Sequence, residues 1–232
     1  MLLLSSLLFA AGLGAAPDLP PAAPGTLRAV LVRHGQAFTN LDPEPDLPPD
    51  QLDRLTELGH AQAGAAGAAL RPLDVRFLLA SPLGRARETA ADIRQALHLT
   101  GAITVDPRLR PMELGVNDKG EELDIQARWA EWKAGRDPLP PKGESLEQVA
   151  QRVLDLLREE RVAFGSGTVV LVAHSEVIGT LIGKLRGVPA PQRFPPQVPN
   201  GSLTVVDVGP DGEARLLAEA LALPAPETSA KH

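Results

Sequence analysis

The sequence has no cysteine and no tyrosine, and aromatic residues make up only 3% of its 232 positions. Without thiols it forms no disulfide, holds no iron–sulfur cluster or thiolate-bound zinc, and has no cysteine nucleophile. Five phenylalanines and two tryptophans offer too few ring faces for a stacking platform that binds single-stranded nucleic acid. Positive charge is short as well. Lys and Arg number 23 against 29 Asp and Glu, a formal net charge of −6, so no global basic field draws the chain to nucleic acid or an anionic membrane. Any anion site must be a local cluster of cations. What the chain does have is aliphatic: hydrophobic residues are 44% of it, spaced by 21 glycines and 23 prolines, a composition that fits one α/β domain.

Residues 2–16 (LLLSSLLFAAGLGAA) are one apolar run ending in small residues, too short for a membrane span, and a proline-rich spacer, PDLPPAAPG, follows. This reads as a secretory signal and linker, with export to the periplasm or cell envelope; no Lys or Arg precedes Arg28, so a plain apolar extension on a cytoplasmic protein is the alternative. The expected organisation is an N-terminal segment over 1–25, one domain over 26–223 and a flexible tail over 224–232.

From Thr26 onward, strand-like and helix-like runs alternate, the pattern of a mostly parallel sheet with helices on both faces. LRAVLV (27–32) and TVVLVA (168–173) read as buried strands, VRFLLA (75–80) as a second strand in sequence and AITV (102–105) as a third strand candidate, and SLTVVDV with ARLLAEA, joined by GPDGE, as a terminal hairpin. Leu58, Ala61, Ala65 and Ala69 give one helical stripe; Ala86, Ala90, Ile93 and Leu97 give another, its start read at Ser81-Pro82. Ser145 and Gln148 form a capping box ahead of Leu146, Val149, Val153, Leu156 and Leu157, and a further helix runs 176–186. Trp129 and Trp132 sit one turn apart and read as packing residues. The acidic stretch from Asn40 to Asp53 reads as a solvated surface loop, and His60 as an exposed helix residue.

Three of the strand-to-helix junctions carry a cation or an imidazole: Arg33-His34, Arg85 and His174. Ligands of open α/β sheets bind beyond the carboxyl ends of the strands, so these residues can meet in one anion pocket. No serine-elbow or two-histidine metal spacing accompanies them.

LVRHGQ (31–36), ASPLGRARETA (80–90) and LVAH (171–174), with LTELGHAQA (55–63), GES (143–145) and PNGSLTVV (199–206), resemble the histidine phosphatase superfamily over residues 27–208. The resemblance implies a phosphoglycerate mutase-like three-layer sandwich and a phosphohistidine mechanism on a small phosphate ester, without cofactor or metal. It implies that His34 attacks phosphorus while Arg33, Arg85 and His174 hold the phosphoryl oxygens. Gly35, where glycine would let the backbone approach phosphate, Asn40 and Ser175 complete the expected substrate-binding set. The family's proton-donating glutamate would fall at Pro111, in LRPMELG; Glu113, two residues on, takes the role if the loop is re-aimed, with His174, Glu176 and Asp118 as alternatives. The leading function is a phosphomonoesterase. A mutase and a catalytically impaired phosphoanion-binding module are the alternatives.

Overall fold

The structure, a computed structural model, describes residues 21–193 and 198–223. The expected signal segment and the tail from 224 lie outside the described residues. Six strands form one sheet in the order β3-β2-β4-β1-β5-β6. These are β1 (Leu27–Arg33), β2 (Val75–Ala80), β3 (Ile103–Val105), β4 (Gly167–Ala173), β5 (Leu203–Val208) and β6 (Ala214–Leu221). β1, β4, β2 and β3 run parallel, and β5 and β6 add the antiparallel hairpin at one side.

Helices cover both faces because the central strands are apolar on both. Along β1, Leu27, Ala29 and Leu31 face one core and Val30 and Val32 the other, as the two-residue period of a strand requires. The first core is closed by α4 (Ile125–Lys133), α5 (Leu146–Phe164) and α6 (Ser175–Leu185), the second by α2 (Glu57–Leu70) and α3 (Gly84–Ala96), while α1 (Pro49–Leu52) is a single turn within the acidic stretch expected as loop. Ser145 caps α5 in the expected box with Gln148, and the α5 stripe is buried throughout. Trp132 is buried against Arg128, whose guanidinium lies 5.2 Å from its ring. Among the described residues, no helix is long and apolar enough to cross a membrane.

Two expectations are corrected. The buried face of α2 is Gly59, Ala63, Ala66, Gly67, Ala69 and Leu70, not the stripe through Leu58, Ala61 and Ala65. A helix of alanines and glycines has almost no contrast between faces, so spacing alone misassigns it. The helix after β2 begins at Gly84 and not at Ser81-Pro82, because Leu83 is still extended and the Ser81 hydroxyl is engaged elsewhere.

The contact between α2 and the loop after β1 is backbone on backbone. A Cβ on Gly35 would lie 2.3 Å from the Gly59 carbonyl oxygen, and one on Gly59 would lie 2.0 Å from that of Gln36. Gly59→Ala should therefore destabilise the fold by about 1–3 kcal/mol through overpacking. Gly64, in the same helix, is the control, since a Cβ there would meet nothing within 4 Å: Gly64→Ala should stabilise by about 0.5–1 kcal/mol. Denaturant midpoints of the two variants check this, and equal shifts would sink the packing argument.

Candidate active site

Strand register assembles the site. Arg33 pairs with Ala173 across the β1–β4 ladder and Ala80 pairs with Val172, so His34, His174 and Ser81 follow at three adjacent strand ends. Backbone hydrogen bonds extend the ladder past the strands: His34 N–H donates to Ala173 O at 3.0 Å and Ser81 N–H to Val172 O at 3.0 Å. The rings of His34 and His174 stand 5.1 Å apart, tilted by 58°.

Hydrogen bonding fixes the tautomer of each ring. His34 Nδ1 lies 2.7 Å from the Gly35 carbonyl, which only accepts, so Nδ1 carries the proton; Nε2 faces Arg85 Nε at 3.2 Å, which only donates. His34 therefore presents an unprotonated Nε2. His174 is the mirror case, with Nδ1 3.4 Å from Arg85 Nη2 and Nε2 donating to Ser81 Oγ at 2.8 Å. Both rings are neutral. Burial, with His34 3% and His174 1% exposed, disfavours their charged forms, and the Arg85 and Arg33 charges add to it. His34 is pushed down to about 3, and His174 lies well below its ordinary value.

Two guanidiniums complete the cluster. Arg33 donates from Nη1 to Val198 O at 2.6 Å and keeps a buried Nε–H without an acceptor among the described residues; burial lowers its pKa, opposed by the nearby Glu176 carboxylate. Arg85, in the first turn of α3, turns its Nε and Nη2 edge to the histidines, while Nη1 donates to Asp53 Oδ1 at 2.6 Å. Asp53 thus leaves the solvated loop it was expected to share. Its second oxygen accepts the Gly84 N–H at 2.6 Å.

The other expected residues fall around this cluster in different ways. Asn40 Oδ1 accepts from Ala37 N at 3.0 Å and from Asn200 Nδ2 at 3.3 Å, and Asn200 Nδ2 also donates to the His34 carbonyl at 3.0 Å. Ser175 Oγ accepts from Val198 N at 3.2 Å, so it holds the turn whose carbonyl takes Arg33. Gly35 donates its N–H to Thr89 Oγ1 at 3.0 Å, and the close approach that excludes a side chain there is to Gly59.

Glu113 is not brought into the cluster by any of its hydrogen bonds. Its side chain is 53% exposed and accepts from Arg110 Nε at 2.9 Å, which holds its carboxyl below the usual range, the opposite of the raised value expected of a proton donor. Buried Glu144 and partly buried Arg152 hold the backbone of this loop. Glu144 accepts from Glu113 N at 3.1 Å and from Arg152 Nε at 2.8 Å, and Arg152 donates to the carbonyls of Arg108 and Arg110. Glu176 lies in the first turn of α6, and Asp118 is exposed.

Sequence reasoning missed Asp53, Ser81 as a histidine partner, Asn200 and Glu144. Glu144, Ser81 and Asn200 each left a trace, inside GES, ASPLGRARETA and PNGSLTVV, whereas Asp53 left none.

Comparison with known proteins gives this arrangement its family. The sequence profile of the histidine phosphatase superfamily (branch 1) matches residues 29–219. A protein named "Probable phosphoglycerate mutase GpmB" from Erwinia tasmaniensis is 30% identical over 186 residues, covering 78% of this chain and 85% of its own. The 2,3-bisphosphoglycerate-dependent phosphoglycerate mutase of Brucella ovis is 34% identical over 195 residues, covering 76% and 89%. A solved mycobacterial glucosyl-3-phosphoglycerate phosphatase in complex with VO3 superposes with a TM-score of 0.66 at 29% identity, over 84% of this chain and 99% of that one. With the sheet order, the two buried histidines and these matches in hand, the chain belongs to the histidine phosphatase superfamily, branch 1.

Proposed function

We propose that the protein is a phosphomonoesterase that works through a phosphohistidine on His34, without a metal ion. One observation carries the reading: a buried neutral imidazole whose Nε2 lone pair faces the side edge of a guanidinium. An anionic phosphoryl group would replace the direct 3.2 Å contact between Arg85 Nε and His34 Nε2, taking the guanidinium donors onto its oxygens. Arg85 would receive two of its oxygens through Nε and Nη2, and the unpartnered Nε–H of Arg33 would supply a further donor. His34 Nε2 attacks in line, the P–O bond to the leaving group breaks, and the Nδ1–H to Gly35 carbonyl bond stabilises the positive charge that develops on the ring. Water then attacks the phosphohistidine, releasing inorganic phosphate and restoring Nε2.

The names of the relatives include mutases as well as a phosphatase, and a mutase would return the phosphoryl group to a second hydroxyl. A phosphatase is preferred because the one carboxylate of the 109–115 segment, Glu113, is exposed and paired with Arg110, which suits esters whose leaving groups depart without protonation. Turnover of an aryl phosphate in EDTA, beside His34→Ala, tests the whole reading. Wild type should release phosphate with the chelator present, and His34→Ala should lose about 10³-fold or more. An inert wild type that still binds phosphate would leave an anion-binding module, activity lost to EDTA a metal enzyme, and isomerisation of a phosphoglycerate without phosphate release a mutase.

The neutral state of the nucleophile is a second expectation. In a titration of the imidazole protons by NMR, assigned through His34→Ala, His34 should show no midpoint between about pH 5 and about pH 8, because the native ring stays unprotonated far below the ordinary value. A midpoint near the ordinary value would sink it. The exposed ion pair at Glu113 gives a third: Glu113→Gln should slow alkyl and aryl phosphates by the same small factor. A selective loss on alkyl phosphates would restore Glu113 as the proton donor.

A further inference from the structure

Arg85 stands where a cation is poorly placed. It lies in the first turn of α3, at the positive end of the helix, and the groups that its Nε and Nη2 meet are two uncharged imidazoles. Long side chains with free rotors leave such positions unless something holds them. The Asp53 carboxylate provides the hold at two points. Oδ1 accepts Arg85 Nη1 at 2.6 Å and Oδ2 accepts the backbone N–H of Gly84 at 2.6 Å, so one carboxylate grips the far end of the arginine and the chain at its foot.

The surroundings are shaped to that contact. A Cβ on Gly84 would lie 2.9 Å from both Asp53 O and Asp53 Oδ2, so the absence of a side chain at 84 makes room for the carboxylate. One helical turn on, Glu88 accepts the Leu55 N–H at 2.8 Å and pairs with Arg54, which fastens the loop carrying Asp53 to α3. Asp53 is 27% exposed and Arg85 16%, so the pair closes the solvent side of the guanidinium while its Nε and Nη2 edge stays turned inward.

We infer that Asp53 is a positioning residue for phosphoryl binding: it fixes Arg85 so that the Nε and Nη2 fork, and not Nη1, is presented beside His34. The inference rests on the phosphomonoesterase reading for its substrate but not for its geometry. Asp53 touches no reacting atom. Its loss therefore affects every phosphoryl ligand alike and is insensitive to the leaving group.

The experiment measures vanadate binding by calorimetry and kcat/KM for one aryl and one alkyl phosphate, with wild type, Asp53→Asn, Arg85→Ala and the double variant. Asp53→Asn should weaken vanadate and lower both kcat/KM values by a common factor of about 10- to 100-fold. In the Arg85→Ala background it should change either by less than about 3-fold, because the two residues act as one unit. Gly84→Ala, which displaces the carboxylate without altering it, should reproduce the vanadate loss and carries the test if Asp53→Asn fails to fold. A lowered melting temperature with unchanged vanadate affinity would make Asp53 merely structural, and losses that multiply with Arg85→Ala would uncouple the pair; either overturns the inference. So does a loss confined to the alkyl phosphate, which would make Asp53 a proton donor. Because vanadate binding needs no turnover, an inert wild type sinks the phosphatase reading while leaving the Asp53 comparison intact, and a wild type that binds neither vanadate nor phosphate overturns both.

Discussion

The site depends on keeping two imidazoles uncharged beside two guanidiniums that cannot lose their protons. Burial and the arginine charges act in the same direction on His34 and His174, and both rings keep a lone pair as a result. Arginine in turn is stable in such a place only where its excess donors find acceptors. Arg33 spends Nη1 on the Val198 carbonyl, and Arg85 spends Nη1 on Asp53. Arg85 keeps Nε and Nη2 turned to the two rings, and the Nε–H of Arg33 has no acceptor among the described residues, so the cluster is held together by its own chemistry and retains donors for an anion.

That arrangement requires the sheet to deliver its strand ends together. Adjacent pairing of β1, β4 and β2 puts His34, His174 and Ser81 side by side, and the backbone hydrogen bonds of His34 and Ser81 continue the ladder by one residue. Close packing of α2 through Gly35 and Gly59 keeps the loop after β1 tight against the sheet, which in turn fixes the Gly35 carbonyl under His34 Nδ1. The small-residue character of α2, which makes its faces hard to read, is the property that lets it approach so closely.

The strands and α5 were legible because their signals are local: unbroken apolar runs of strand length, and a capping box set against a strong stripe. Arg33, His34, Arg85 and His174 were legible as a group because each lies at or just beyond the carboxyl end of a strand. Asp53 was not, since one acid in a loop with Asp42, Glu44, Asp46 and Asp50 carries no mark of which will turn inward; that depends on where Gly84 lies in space. Ser81 was misread for a related reason. A serine before proline at the end of a strand looks like a helix cap, and only the β2–β4 register shows that its hydroxyl meets the imidazole of His174 instead.

The segment around Pro111 shows how far a partly buried ion pair reaches. Arg152 rises from α5, is fixed by Glu144, and donates to the carbonyls of Arg108 and Arg110, so the backbone ahead of Glu113 is tied to a helix rather than left to a loop. Glu144 also takes the Glu113 N–H, and Arg110 takes its carboxylate. Both ends of the segment that holds Pro111 and Glu113 are thus fixed to α5 and its cap. The carboxylate of Glu113 is thereby paired with Arg110, whereas the four residues at the strand ends bring two guanidiniums against two buried imidazoles, a distribution of charge suited to binding an anion.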